Sequence, residues 1–124
     1  MKLHHCAFKI TLGKSILMQE FCEYLSAKLS WEGKDQGREI AMRFGNNMLI
    51  QFSEIDEKPI KTKNKKETHI SFSSREPKKD IKKIENWFSQ HNIKTITGQW
   101  SETELWIDCP DVFINFVIEV LKTD

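Results

Sequence analysis

Hydrophobic and polar residues alternate with a period of two in several short segments of the chain, and this period is typical of half-buried β-strands. The clearest of these segments are LHHCAFKI (3–10), REIAMRF (38–44), MLIQFSE (48–54) and THISFSS (68–74). Gly45, Asn46 and Asn47 separate the second segment from the third. Because Gly and Asn tolerate a positive φ, these two segments are predicted to pair as a tight hairpin.

Two other segments carry apolar residues at helical spacing. The first begins at Ser15, a residue type that often caps helices, and its predicted buried stripe is Leu17, Phe21, Tyr24, Leu25 and Leu29. The second begins at Pro77 and ends at Asn92, and its predicted buried residues are Ile81, Ile84, Trp87 and Phe88. The turn-rich segment SWEGKDQG (30–37) follows the first helix and leaves room for a short strand.

The second half of the chain repeats the order of elements of the first half. Three strands are predicted after the second helix, at 94–100, 103–108 and 112–121. The chain then reads β-α-β-β-β twice, and an internal repeat of this kind decides the fold class. We predict one α+β domain, with module one at 1–57, a basic linker at 58–66 and module two at 67–124.

The amino-acid composition and the net charge limit the classes of binding partner that this protein is expected to have. The 124 residues suit one compact domain, and 39% apolar with 30% charged residues is the balance of a globular protein. With 19 basic against 18 acidic residues the net charge is +1, so nothing global attracts nucleic acid or an anionic membrane. The basic run KPIKTKNKKE (58–67) has no aromatic residues for stacking bases, which favours a solvated linker. We expect no nucleic-acid or membrane partner.

The three cysteines, Cys6, Cys22 and Cys109, are an odd number without CxxC spacing. Cys6 and Cys22 stand in apolar patterns, where cysteine usually behaves as a small core residue. Cys109 lies in the predicted turn IDCPD and is the candidate for an exposed thiol. This cysteine usage, with no segment apolar enough to span a membrane and no signal-peptide pattern, predicts a reducing cytoplasmic location.

Strand periodicity also sorts polar residues onto one face. His5, Gln51, His69 and Glu119 each lie opposite the apolar residues of their own strand. The apolar faces are suited to lie under the two helices, which cannot cover both sides of such a sheet. The predicted fold is therefore an open, cup-shaped mixed sheet with helices packed outside, and the four polar residues are expected to converge on its concave face.

The order β-α-β-β-β twice, with a histidine opening each half and VIEV closing the last strand, resembles the vicinal oxygen chelate superfamily. Its members include glyoxalase I, bleomycin-resistance proteins, fosfomycin-modifying transferases and extradiol dioxygenases. The local matches are LHHCAFKI, ETHISFSS with the helix after it, and ELWIDCPDVFINFVIEV. The resemblance covers nearly the whole chain.

The resemblance implies a divalent metal, Zn²⁺, Ni²⁺, Co²⁺, Mn²⁺ or Fe²⁺, with His5, Gln51, His69 and Glu119 as its ligands. Imidazole nitrogen and carboxylate oxygen together suit these ions. Gln51 falls where glyoxalase-like members usually have a second carboxylate, and an amide cannot act as a base near neutral pH. Glu119 is then the candidate catalytic residue for proton transfer. The last turn is longer than is common in the family, so Asn115 is a second candidate on the face of Glu119.

The implied function is a glyoxalase-like, metal-dependent enzyme of lyase or isomerase type that acts on a small molecule with vicinal oxygens, such as a thiol adduct of a 2-oxoaldehyde. One alternative is a metal-free, antibiotic-binding protein of the bleomycin-resistance type, with an aromatic cleft lined by Trp100, Trp106 and Phe113, although these residues also suit a core. Another is a fosfomycin-type thiol transferase, for which Lys9, Arg38 and Arg43 are candidate phosphonate ligands by residue type alone. A homodimer is expected, because family members commonly pair.

Each predicted ligand also has an interpretation without a metal. A single histidine on a strand is more often a hydrogen-bonded, half-buried residue than a ligand. The agreement of two histidines and a glutamate on matched faces is what favours the metal site.

Overall fold

The computed structural model describes residues 1–33 and 38–123, which form eight strands and three helices. The strands are β1 (Cys6–Ile10), β2 (Lys28–Gly33), β3 (Glu39–Phe44), β4 (Met48–Glu54), β5 (His69–Ser74), β6 (Ile96–Ser101), β7 (Glu104–Asp108) and β8 (Val117–Lys122). The helices are α1 (Ser15–Tyr24), α2 (Thr62–Lys65) and α3 (Pro77–Gln90). Residues 34–37 of the predicted turn-rich segment lie outside the described residues.

The chain divides into two compact units, Met1–Lys58 and Pro59–Asp124. Each unit holds one four-stranded sheet, with the order β1-β4-β3-β2 in the first and β5-β8-β7-β6 in the second. In both sheets the outer strand that opens the unit runs parallel to its neighbour, and the other pairs are antiparallel. The predicted α+β class and the βαβββ order of each half are confirmed.

In the first unit, α1 packs on the sheet through residues spaced three and four apart. Met18, Phe21 and Cys22 are buried on this helix, and Ile10, Ile40 and Phe52 are buried on the strands. Burial of each such side chain contributes about 1.5–3 kcal/mol. The unit therefore has its own apolar core between α1 and the sheet.

The predicted extent of the first helix was wrong at its C-terminal end. The helix stops at Tyr24, and Ser26 has a φ of 72° that turns the chain into β2. Leu29 therefore lies in a strand, and Tyr24 is 46% exposed. Leucine and serine fit either structure, so the local sequence did not show where the helix period ends.

The start of α1 is held by a carboxylate from another element. The predicted cap, Ser15, is the first residue of the helix, and Glu54 at the end of β4 accepts the backbone N–H groups of Gly13 at 2.9 Å and Ser15 at 3.0 Å. Burial opposes ionisation of Glu54, but hydrogen bonds from the hydroxyl of Ser15 and from these two amides outweigh it, so its pKa lies below the ordinary value of 4.5. Glu54 thus joins the last strand of the first unit to its helix.

The core of the second unit follows the predicted helical stripe closely. Ile81, Ile84 and Phe88 of α3 are buried, and Asn92 ends the helix with a φ of 60°, as predicted. Trp87 is only half-buried, because it stacks on the ring of His91 at the surface, with ring centroids 3.8 Å apart.

Part of the predicted linker is buried. Lys65 of α2 is 2% exposed, and its Nζ lies 2.9 Å from Oδ1 of Asp108, which is fully buried at the end of β7. This is an ionic contact rather than a directed hydrogen bond, since Oδ1 has no hydrogen-bond partner. Lys65 donates instead to the backbone carbonyl of Phe113, and the hydroxyl of Thr62 donates to Oδ2 of Asp108. The interpretation of this whole segment as solvated was therefore wrong for Lys65.

The last strand and two cysteines also differ from prediction. β8 begins at Val117, and Asn115 lies in a bend before it, outside the strand of Glu119. Cys109 is buried and Cys6 is exposed, the reverse of what their local patterns suggested. Burial raises the pKa of the Cys109 thiol well above its ordinary value.

Among the described residues, no helix has the length and apolar character needed to cross a membrane.

Candidate functional site

His69 and Glu119 lie together on adjacent strands of the second unit. β5 and β8 pair in parallel, with Ser71 opposite Glu119 and His69 two residues earlier on the same face. His69 Nε2 is 3.6 Å from Glu119 Oε2. Glu119 is only 5% exposed, whereas His69 is half-buried and reaches the surface. Of the four predicted ligands, these two form a pair within one unit.

A backbone carbonyl orients the imidazole of His69. Its Nδ1 lies 3.2 Å from the carbonyl oxygen of Lys66, and this contact assigns the proton to Nδ1 when the ring is neutral. Nε2 then presents a lone pair towards the carboxylate of Glu119. At this distance either a proton on Nε2 or a metal ion could bridge the two atoms.

Ser71 holds the other oxygen of Glu119. Its hydroxyl donates a hydrogen bond of 2.9 Å to Oε1, so each oxygen of the buried carboxylate has its own neighbour. Hydrogen bonds of this kind fix the orientation of a ligand and raise the affinity of a metal site. Sequence reasoning missed Ser71 as a site residue, although the alternation of THISFSS puts it on the face of His69.

An indole lies beside Glu119 on its other side. Trp106 of β7 is opposite Glu119, and Gly98 of β6 is opposite Trp106. A Cβ atom at Gly98 would lie 2.2 Å from the Trp106 ring, so only glycine leaves room for the indole there. The row across this sheet therefore contains a hydroxyl, a carboxylate, an aromatic ring and a glycine.

The ammonium of Lys66 lies above two of the tryptophans. Its Nζ is 5.1 Å from the ring centroid of Trp100 and 5.5 Å from that of Trp106. Trp100 is 42% exposed and Trp106 is 8% exposed. Both distances are within the range of cation–π attraction. The sequence did not predict this position of Lys66, because Lys66 lies in the basic run 58–67 among other lysines.

The other two predicted ligands belong to the first unit, with Gln51 inside β4 and His5 just before β1. Gln51 of β4 is opposite Ala7 of β1, just as Glu119 is opposite Ser71 in the second unit. Its amide nitrogen donates to the Ser53 hydroxyl at 3.1 Å. His5 was predicted to lie inside the first strand. In the structure it is exposed and directly precedes β1. Its Nδ1 lies 2.8 Å from Nδ1 of His4.

The pair in the second unit fits two ligands of a divalent ion. Bond lengths near 2.1 Å at a tetrahedral angle separate two zinc ligands by about 3.4 Å, close to the 3.6 Å between His69 Nε2 and Glu119 Oε2. Over residues 1–33 and 38–123, no group of three or more His, Cys, Asp and Glu side chains is arranged to hold a metal. His69 and Glu119 are thus two candidate ligands, and a metal site would need others to complete it.

No protein-family model and no curated protein sequence matches this chain. Solved structures do. A structure of a possible glyoxalase from Bacillus cereus is 18% identical over 98% of both chains, with a TM-score of 0.62. The glyoxylase/bleomycin resistance protein/dioxygenase domain from Frankia sp. EAN1pec is 16% identical, with 100% of this chain and 98% of that chain covered and a TM-score of 0.63.

A third match is a mutant of the fosfomycin resistance protein FosX from Listeria monocytogenes, complexed with Mn(II) and 1S,2S-dihydroxypropylphosphonic acid. It is 12% identical, with 99% of this chain and 92% of that chain covered and a TM-score of 0.64. The order of elements, the strand pairing and the similarity to these solved structures all indicate the same fold. The chain has the fold of the vicinal oxygen chelate proteins, as its sequence predicted.

Proposed function

We propose that this protein is a glyoxalase-like, metal-dependent enzyme that acts on a small molecule with two neighbouring oxygens. The observation that carries the proposal is the pairing of His69 Nε2 with Glu119 Oε2 at 3.6 Å, next to a carbonyl that fixes the ring and a hydroxyl that fixes the carboxylate. A metal-bound structure of FosX, a protein of the same fold, supports it.

We propose His69 and Glu119 as metal ligands, and we also propose His5 and Gln51, the other two ligands that the family resemblance implies. Gln51 is opposite Ala7, as Glu119 is opposite Ser71. His5 stands two residues before Ala7, as His69 stands two residues before Ser71. A divalent ion so held supplies Lewis acidity towards the two oxygens of the substrate. Zn²⁺, Ni²⁺, Co²⁺, Mn²⁺ and Fe²⁺ all accept this mixture of nitrogen and oxygen donors.

Glu119 is proposed to move the proton between neighbouring carbons of the substrate. Gln51, at the equivalent position of the other unit, has an amide and cannot take this part. Ser71 would keep one oxygen of Glu119 oriented, and the low exposure of the carboxylate, 5%, would limit competition from water. Thiol adducts of 2-oxoaldehydes are the first substrates to test.

Metal analysis of protein purified without chelator, followed by zinc titration, tests the proposal. We expect about one bound divalent ion per chain, and we expect His69→Ala to weaken zinc binding by at least about a hundredfold. His91→Ala is the matched control, since His91 is an exposed histidine of the same unit that contacts the Trp87 carbonyl. Equal zinc affinity in wild type and His69→Ala would contradict the metal site.

The alternative from another functional class is a metal-free protein that sequesters a planar ligand. The exposed face of Trp100 beside Trp106 is the observation that favours it, whereas Phe113 is fully buried and belongs to the core. Antibiotics that quench tryptophan fluorescence without added metal would support this function. A fosfomycin-type thiol transferase is the third candidate, and turnover of fosfomycin with a thiol in the presence of Mn²⁺ would identify it.

We also propose that the protein is a cytoplasmic homodimer. Leu29 and Trp31 on the outer strand β2 are 38% and 39% exposed, and large apolar side chains on a sheet edge suit a subunit contact. The cysteines are free, which fits a reducing compartment. Light scattering coupled to gel filtration should give a mass of two chains, and a mass of one chain would contradict the dimer.

A further inference from the structure

Lys66 has an unusual electrostatic position in the second unit. It is half-buried, and its ammonium lies over the rings of Trp100 and Trp106 at 5.1 and 5.5 Å. Within the described part of the chain, no carboxylate forms an ion pair with it, in contrast to its neighbour Lys65, which is paired with Asp108. The described contacts of the Lys66 ammonium are therefore with aromatic faces, which stabilise a cation without neutralising it.

This ammonium is adjacent to the candidate metal ligands. Trp106 is directly opposite Glu119 in the antiparallel ladder, and opposite residues have Cβ atoms about 5 Å apart. The backbone carbonyl of Lys66 contacts His69 Nδ1 at 3.2 Å. Lys66 thus contacts the histidine through its backbone and the ring beside Glu119 through its side chain.

The backbone that presents Lys66 is firmly anchored. Lys65 is buried against Asp108 and the carbonyl of Phe113, and Thr62 also donates to Asp108. Lys66 follows immediately and closes the turn by donating its N–H to the Thr62 carbonyl at 3.1 Å. A cation whose backbone is already ordered loses less conformational entropy when it binds an anion. In a partly desolvated site its attraction for an anion also exceeds that of a freely solvated lysine.

We propose that Lys66 is the specificity-determining residue of the candidate site, and that it binds a small anionic oxygen group, a carboxylate or a phosphonate, of the substrate. The inference rests on the proposed function, because it concerns the same site. The anionic group lies at Lys66, and the two neighbouring oxygens of the same molecule lie at His69 and Glu119. A neutral substrate of the same size leaves the ammonium without its partner and binds more weakly.

Titration with methylphosphonate and with propionate, followed by tryptophan fluorescence, tests the proposal and separates the two anion types. We expect wild-type protein to bind at least one probe and Lys66→Met to bind it at least about tenfold more weakly, because a charge-assisted contact is lost. Lys66→Arg should stay within about threefold of wild type, since it keeps the charge. Lys63→Met, which removes an exposed lysine of α2, is the matched control and should bind like wild type.

Equal affinity of wild type and Lys66→Met for both probes, or binding of neither probe, would overturn the inference. Each variant is first compared with wild type by circular dichroism and thermal unfolding, so that a loss of fold is not read as a loss of contact. Zinc titration of the same variants keeps the two proposals apart. Zinc binding without a Lys66-dependent anion site would refute this inference alone, and a Lys66-dependent anion site without zinc binding would refute only the metal function.

Discussion

The two units have the same strand order but differ in the row of residues that crosses each sheet at the candidate site. In the first unit the row reads Ala7, Gln51, Ala41 and Trp31, and in the second it reads Ser71, Glu119, Trp106 and Gly98. Each row has one tryptophan opposite a small residue, although the two have exchanged strands. The two sheets therefore share their strand arrangement but carry different side chains in this row.

The difference in chemistry follows from a single pair of positions. Glu119 receives the hydroxyl of Ser71, whereas Gln51 faces Ala7, which has no donor, and turns to Ser53. The carboxylate and the group that orients it are both in the second unit. This comparison teaches that two modules with the same strand order can carry different polar groups at matching positions of their sheets.

The largest expected effect belongs to the buried ion pair of Lys65 and Asp108 in the second unit. Lys65→Met leaves Asp108 buried without its cation and should lower the free energy of unfolding by about 3–5 kcal/mol. Urea denaturation measures this change, with Lys63→Met as the exposed control. The double variant Lys65→Met/Asp108→Asn should recover part of the loss. A loss below about 1 kcal/mol for Lys65→Met would mean that the pair is not buried as described.

Exchange of amide and carboxylate tests the difference between the units directly. Glu119→Gln gives the second unit the side chain of the first, and it should lower zinc affinity by at least about a hundredfold and abolish activity. The fold should survive, because an amide oxygen still accepts the Ser71 hydroxyl. Gln51→Glu is the reciprocal variant and should raise zinc affinity. If Glu119→Gln bound zinc like wild type in calorimetry, Glu119 would not be a ligand.

Ser71→Ala gives β5 the residue that β1 has at this position. Loss of the hydroxyl leaves Glu119 Oε1 without its donor, and we expect zinc affinity to fall about tenfold. Stability should fall by about 1 kcal/mol. Ser73→Ala, at the next residue of β5 on the same face, is the control. Zinc competition with a coloured chelator measures the affinity, and an unchanged value would show that Ser71 does not orient the carboxylate.

The smallest expected effect concerns the helix starts, where the units also differ. Glu54 binds the start of α1 from β4, whereas in the second unit the Ser74 hydroxyl accepts the N–H of Glu76 before α3. Glu54→Gln should lower stability by about 1 kcal/mol at pH 7.

The pH dependence of the Glu54→Gln effect follows from the direction in which folding shifts the pKa of Glu54. The pKa of Glu54 is lowered by folding, so its contribution is present above the ordinary value of 4.5 and is lost as the pH falls through the lower folded value. The stability difference between wild type and Glu54→Gln should therefore shrink with acid. A difference that stays constant from pH 7 into this acid range would show that the ionised carboxylate is not what holds the helix.

Much of the fold could be read from periodicity, because each half carries its own strands, hairpin and amphipathic helix. The turn at Gly45 and the stop at Asn92 follow from residues that tolerate a positive φ, and both were predicted. The end of α1 and the start of β8 were not. Their apolar residues, such as Leu29 and Ile114, suit a helix, a strand or a buried turn, and tertiary packing decides among these.

The candidate site was only partly predictable for a related reason. Alternation places His69 and Glu119 on polar faces, but the partners that give them a function depend on strand register. Ser71 and Glu119 come from distant parts of the chain, and Gly98 meets Trp106 only because of the register between β6 and β7. Lys65 and Lys66 are adjacent and chemically identical in the sequence, yet one is buried in an ion pair and the other covers two indoles. Only the packed structure distinguishes them.

The uneven exposure of the three thiols makes the protein convenient to label. Cys6 is accessible in β1, next to His5, whereas Cys22 and Cys109 are buried and burial raises the pKa of both. A maleimide dye should therefore attach at one place in the native protein and report on the neighbourhood of His5. The thiols of Cys22 and Cys109 react only when the core opens, so their rate of modification measures the rate of global unfolding.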